Sequence, residues 1–75
     1  MTTNDGVRNH VRRIRRSREW TQEALADRVG VTRQTIISIE GGKYNPSIGL
    51  ALRIARAFGM PVEDLFQLEG GESHD

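Results

Sequence analysis

The sequence predicts an all-α domain of five short helices, and three features predict it. Apolar residues recur at three- and four-residue spacing through most of the chain, the period that places them on one helical face. Residues suited to capping a helix start (Thr21, Thr32, Ser47) alternate with glycines suited to ending one (Gly30, Gly41, Gly59). No segment alternates apolar and polar residues with the two-residue period of a half-buried strand. With 75 residues, 36% of them hydrophobic, there is material for one core only. With no cysteine, that core must hold by packing alone.

Taken in order, Met1 to Gly6 is polar and reads as a disordered tail. Glu69-Gly-Gly-Glu-Ser-His-Asp75 is acidic, glycine-rich and without apolar residues, and reads as a second tail around a domain at 7–68. From Val7 to about Arg18, Val7, Val11 and Ile14 recur at helical spacing while Arg8, Arg12, Arg13, Arg15, Arg16 and Arg18 fill most other positions, an amphipathic helix with an arginine-rich exterior. Trp20, next to the cap Thr21, fits the apolar residue that staples a helix start. Gln22 and Glu23 open the second helix, Leu25, Ala26 and Val29 form its inner face, and Gly30 stops it. Thr32 caps a third helix, Arg33 to Glu40, with Ile36 and Ile39 inward and Gly41-Gly42 after it. Lys43-Tyr44-Asn45-Pro46 reads as a loop, because Pro46 disfavours a helical Asn45. Ser47 caps a fourth helix, Ile48 to Phe58, whose inner face draws on Ile48, Ala51, Ile54, Ala55 and Phe58, with Leu50 or Leu52 on one flank. Pro61 starts a fifth through Leu65 and Phe66 towards Leu68, with Glu63 and Asp64 at the positive end of its dipole.

Charge is unevenly divided. Residues 1–44 carry nine Lys/Arg against five Asp/Glu, and residues 45–75 carry two against five. A basic half points to a polyanionic partner. The chain has neither the long apolar run of a membrane span nor the basic-then-apolar start of a signal peptide, so a cytoplasmic protein is expected. His10 and His74 are far apart in sequence with no cysteine to join them, so no metal or other cofactor is expected. An enzyme is not expected either, for lack of a nucleophile, a metal cluster, a phosphate-cradling glycine loop or a histidine relay.

The second and third predicted helices are joined by Gly30 and Val31. A small residue, Ala26, allows their close approach, and Leu25, Val29, Val31, Ile36 and Ile39 anchor one against the other. With Ile36 at zero and about 100° per residue, Ile39 falls at about 300° and Glu40 at about 40°, while Gln34 falls at about 160° and Ser38 at about 200°. The outward face is therefore Gln34 and Ser38, flanked by Thr35 and Ile37. A glutamine amide donates and accepts together against adenine, and Arg33 in the first turn can reach the two acceptors of guanine. Hydroxyls and methyls at Thr35, Ile37 and Ser38 suit neighbouring bases or a thymine methyl.

The runs Thr21-Gln22-Glu23-Ala24-Leu25-Ala26 and Gly30-Val31-Thr32-Arg33-Gln34-Thr35-Ile36 resemble the lambda-repressor-like helix-turn-helix family of Cro-type and XRE-type regulators. The resemblance continues through Ile39-Glu40, Gly42-Lys43-Tyr44-Asn45-Pro46-Ser47, Ala51-Leu52-Arg53-Ile54-Ala55 and Glu63-Asp64-Leu65-Phe66, covering roughly Val7 to Phe66. It implies a compact five-helix fold and a helix-turn-helix formed by helices two and three. It also implies base contacts from Arg33, Gln34 and Ser38, with Ile37 beside them, and phosphate-backbone contacts from Gln22, Thr32, Thr35 and Lys43. Two residues depart from the family pattern. Ala24 stands where a glutamate would complete a capping box with Thr21, and Ile37 stands where a small or polar residue is common.

The expectation is thus a sequence-specific regulator of transcription on double-stranded DNA, a repressor acting as a homodimer on two half-sites. An antitoxin or a plasmid or phage control protein would share the same sequence features, and a helical protein-protein adaptor would share the fold. Leu65, Phe66 and Leu68 are more apolar than a short final helix needs and are expected at the dimer interface. No inducer-binding segment is expected after residue 66. An internal ion pair is expected between Arg15, at about 80° on the flank of the first helix's inner stripe, and Glu40, at the inner edge of the third.

Overall fold

The computed structural model describes residues 6–69. Five helices appear: α1 (Val11–Ser17), α2 (Gln22–Val29), α3 (Arg33–Glu40), α4 (Ile48–Phe58) and α5 (Val62–Leu65). The caps explain most of their ends. The hydroxyls of Thr21, Thr32 and Ser47 accept from the amides of Ala24 (2.9 Å), Thr35 (3.3 Å) and Leu50 (3.1 Å), each satisfying a donor that the first helical turn leaves open. Gly30 and Gly59 close α2 and α4 with φ of 78° and 71°, a left-handed backbone that only glycine adopts without cost. Helices α2 and α3 form the helix-turn-helix. Leu25, Ala26, Val29, Ile36 and Ile39 are buried where they meet, joined in one core by Val11, Leu50, Ile54, Ala55, Phe58 and Leu65. Arg53 on α4 donates from Nε to the Val29 carbonyl (3.1 Å), tying α4 to the C-terminal end of α2.

The expectation that the described chain is helical throughout needs correcting. Val7–Asn9 is a strand (β1) rather than the first turn of a longer helix, and Phe66–Leu68 is a strand (β2) rather than an extension of α5. They pair antiparallel, Val7 with Leu68 and Asn9 with Phe66, and the Glu69 amide donates to the Gly6 carbonyl (2.6 Å). The reason lies in Asn9, whose short amide competes for backbone groups as asparagine does at helix starts. Its Oδ1 accepts from the Val11 amide (3.1 Å), and its Nδ2 donates to the Ile39 carbonyl at the end of α3 (3.0 Å). The His10 amide is likewise committed to the Leu65 carbonyl (2.9 Å). The chain before Val11 is therefore bonded to distant segments and not to its own next turn. Apart from Gly6 and Glu69, the tails expected at 1–6 and 69–75, His74 included, lie outside the described residues.

Two core assignments also change. Ile48 is 80% exposed, although expected on the inner face of α4. With Ile54 at zero it falls at about 120°, beyond Ala55, and it occupies the first turn where no neighbour covers it. Leu50, at about 320° on the same wheel, is buried instead, while Leu52 is half exposed. Among the described residues, no helix is long and apolar enough to cross a membrane.

Candidate nucleic-acid interface

Helix α3 is anchored along Ile36 and Ile39, both fully buried. This fixes its opposite side. Arg33 and Gln34 are exposed at its start, and Thr35, Ile37 and Ser38 are partly exposed along it. The two threonine hydroxyls at the start lie 3.1 Å apart, and that of Thr32 also caps the helix. A phosphate approaching Thr32 or Thr35 would therefore meet hydroxyls already oriented by the cap. Lys43 is exposed in the loop after α3, its backbone amide bonded to the Ser38 carbonyl (2.9 Å).

Glu40 closes the other end of the same helix. Its side chain is 1% exposed and receives Arg15 Nε on Oε2 (2.6 Å) and a second guanidinium N–H of Arg15 on Oε1 (3.2 Å), a two-pronged contact. Gln22 Nε2 also donates to Oε1 (3.2 Å), and Arg12 Nε stands 3.7 Å from it. Burial pushes the Glu40 carboxyl up, but hydrogen bonds from Arg15 and Gln22 and the charges of Arg15 and Arg12 outweigh it and hold the group below its ordinary value. Arg15 is itself 8% exposed and spends its remaining reach on the Trp20 carbonyl (2.8 Å). The first residue of α2, the middle of α1 and the last residue of α3 are thus joined through one carboxylate. The involvement of Gln22 and Arg12, and the tether from Asn9 to Ile39, had no signal in the sequence, since each depends on how separate elements cross.

The remaining singled-out residues fall elsewhere. Trp20 stacks on Phe58 (centroids 5.4 Å apart, planes at 22°) and is covered by the Arg28 guanidinium 4.1 Å from its ring, so it seals the core. Leu65 is fully buried in the chain's own core, so its expected place at a dimer interface is corrected. Phe66 is half buried on the ribbon, and Leu68 is 71% exposed.

Residues 11–65 match the helix-turn-helix family HTH_3. An HTH-type transcriptional regulator of Methanocaldococcus jannaschii is 48% identical over 66 residues, spanning 88% of this chain and all of that one. The immunity repressor protein of Bacillus phage phi105 is 34% identical over 56 residues, 75% of this chain and 39% of the repressor. Among solved structures, the restriction-modification controller protein C.AhdI from Aeromonas hydrophila superposes with a TM-score of 0.71 at 26% identity, covering 83% of this chain and 91% of that one. The family binds DNA to regulate transcription and is not an enzyme family. With its two-helix motif, its cap-and-glycine punctuation and these relatives, the chain belongs to the helix-turn-helix family of Cro/C1-type, XRE-like transcriptional regulators.

Proposed function

We propose that this regulator is a cytoplasmic repressor that binds double-stranded DNA as a homodimer on an operator with two half-sites. Arg33, Gln34 and Ser38 read base edges in the major groove with Ile37 beside them, and Gln22, Thr32, Thr35 and Lys43 hold the phosphate backbone. The observation that carries this reading is the solvent-facing side of α3, polar at Arg33 and Gln34 and held from behind by fully buried Ile36 and Ile39. A helix so fixed presents side chains at defined positions, which base discrimination requires. The phage relative is an immunity repressor, which supports the sign of regulation assigned here.

Selection of bound sequences from a random duplex pool tests the reading, followed by titrations of two variants on the selected site. Gln34→Ala should lose roughly 1–3 kcal/mol of discrimination at one base, while Lys43→Ala should weaken all sequences about equally. Uniform losses from both variants would remove the readout role of Gln34. Binding that does not weaken with salt would point instead to a protein-protein adaptor.

A further inference from the structure

Beside the reading helix lies a second basic feature. With Val11 facing the core at zero, α1 places Arg15 at about 40°, Arg12 at about 100°, Arg16 at about 140° and Arg13 at about 200°. This is a continuous stripe of guanidinium groups that starts at the buried Glu40 pair and runs out to the surface. Arg12, Arg13 and Arg16 line an open cleft of about 470 Å³ with Asn9, His10 and Glu40. Glu40 is the only carboxylate in that lining, and Arg15 already neutralises it. Among the described residues, no ion pair engages Arg13 or Arg16, and Arg12 meets Glu40 only at 3.7 Å with its side chain 56% exposed. The cleft is therefore strongly positive, and its donors are planar forks that fit phosphate oxygens in pairs.

We propose that this cleft is a phosphate site that carries a further stretch of DNA backbone, with Arg12 and Arg16 as its principal contacts. The inference rests on the reading of the chain as a DNA-binding protein and extends its footprint onto α1. Position argues for it. Arg12 and Gln22 reach the same oxygen of Glu40, at 3.7 and 3.2 Å, so the Arg12 guanidinium stands directly beside the α2 start assigned to a phosphate. Arg16 follows about 6 Å along the same face of α1. A strand leaving Gln22 has further charges to offer at about 3.4 Å of axial rise each, so it can engage both arginines in turn.

The test is the salt dependence of binding to the selected duplex, for the wild type, Arg16→Ala, Arg12→Ala/Arg16→Ala and Arg12→Lys/Arg16→Lys. Each lost contact should make the slope of log affinity against log salt shallower by about 0.9, and all sequences should weaken equally. The lysine pair should keep the wild-type slope. Arg16→Ala leaves Glu40 untouched, so its effect does not depend on the stability of the ion-pair cluster. Ethylation interference should show phosphates adjacent to those lost in Gln22→Ala. An unchanged slope in both alanine variants would overturn the proposal. Calorimetry with inorganic pyrophosphate, without DNA, separates the sources. Micromolar binding lost in the double variant, beside an unchanged DNA slope, would assign the cleft to a free phosphate ligand and overturn the DNA assignment. Failure of the wild type to bind any duplex would remove the parent reading and this one with it, whereas an unchanged slope in a wild type that binds removes this one alone.

Discussion

Three side chains converge on Glu40, and its carboxylate cannot be withdrawn without leaving a buried charge behind. Arg15 is 8% exposed and directs most of its guanidinium at that carboxylate. Removing one partner of a buried pair costs more than the pair itself contributes, so Glu40→Ala should destabilise the fold by roughly 3–5 kcal/mol in denaturant titrations. A change within about 0.5 kcal/mol, ordinary for a surface substitution, would show that the contact does little to hold α3. The same group predicts a pH dependence. Its folded pKa is lowered below its unfolded value, so its contribution is fully present above the ordinary glutamate range, about pH 4.3, and is lost as pH falls through the folded value. Wild type and Glu40→Gln should therefore differ in stability at neutral pH and converge as pH falls through the lowered folded value. The angular positions of Arg15 and Glu40 follow from helix geometry inside one element each, which is why the sequence brings them to notice. Gln22 and Arg12 reach the same carboxylate only because α1 and α2 approach the end of α3, and no spacing within either helix encodes that approach.

Helix boundaries separate into those written locally and those imposed from a distance. Thr21, Thr32 and Ser47 cap the helices that follow them, and Gly30 and Gly59 end two of them, because a cap or a left-handed stop is settled within a few residues. The start of α1 and the end of α5 are not of this kind. Asn9 and Phe66 are brought together across the whole domain, and two three-residue strands carry too little alternation to register as strands. Two expected outcomes follow. Ala24 stands where a capping-box glutamate would return a bond to the Thr21 amide, so Ala24→Glu should raise stability by several tenths of a kcal/mol up to about 1, read in thermal melts. No gain would mean that the start of α2 is already satisfied. Asn9→Ala leaves the Val11 amide and the Ile39 carbonyl without their side-chain partner, and should cost about 1–3 kcal/mol and loosen hydrogen-exchange protection at the start of α1.

At the scale of the whole molecule, the ribbon changes what the surface offers a second copy. Val7 lies opposite Leu68 in the antiparallel register, so their side chains share a ribbon face with Phe66. Next to them a shallow apolar groove is lined by Val7, Ile48, Ala51, Val62 and Phe66. Ile48 in that lining is 80% exposed, and Leu68 on the ribbon and Leu52 on α4 are 71% and 51% exposed. A two-fold axis needs projection and recess on the same patch so that each copy fills the other, and here they adjoin. The proposed homodimer would on this ground use α4 and the ribbon, whereas Leu65 is buried in the chain's own core. The sequence drew attention to Leu65, Phe66 and Leu68 as a surplus of apolar residues. Which of them would face outward depended on the helix stopping at Leu65 and the chain turning extended at Phe66, where φ is −124° and ψ 126°. If this patch is the interface, Ile48→Glu and Leu68→Glu should each leave monomer stability within about 0.5 kcal/mol, because neither residue is buried in the fold. Each should lower the sedimenting mass from dimer towards monomer, since each copy would have to bury a carboxylate in an apolar contact. Binding to a duplex holding one half-site should persist, while the advantage of two half-sites over one should disappear. A wild type that sediments as a monomer both with and without operator would remove the dimer, and a dimer indifferent to both glutamates would move it to another face.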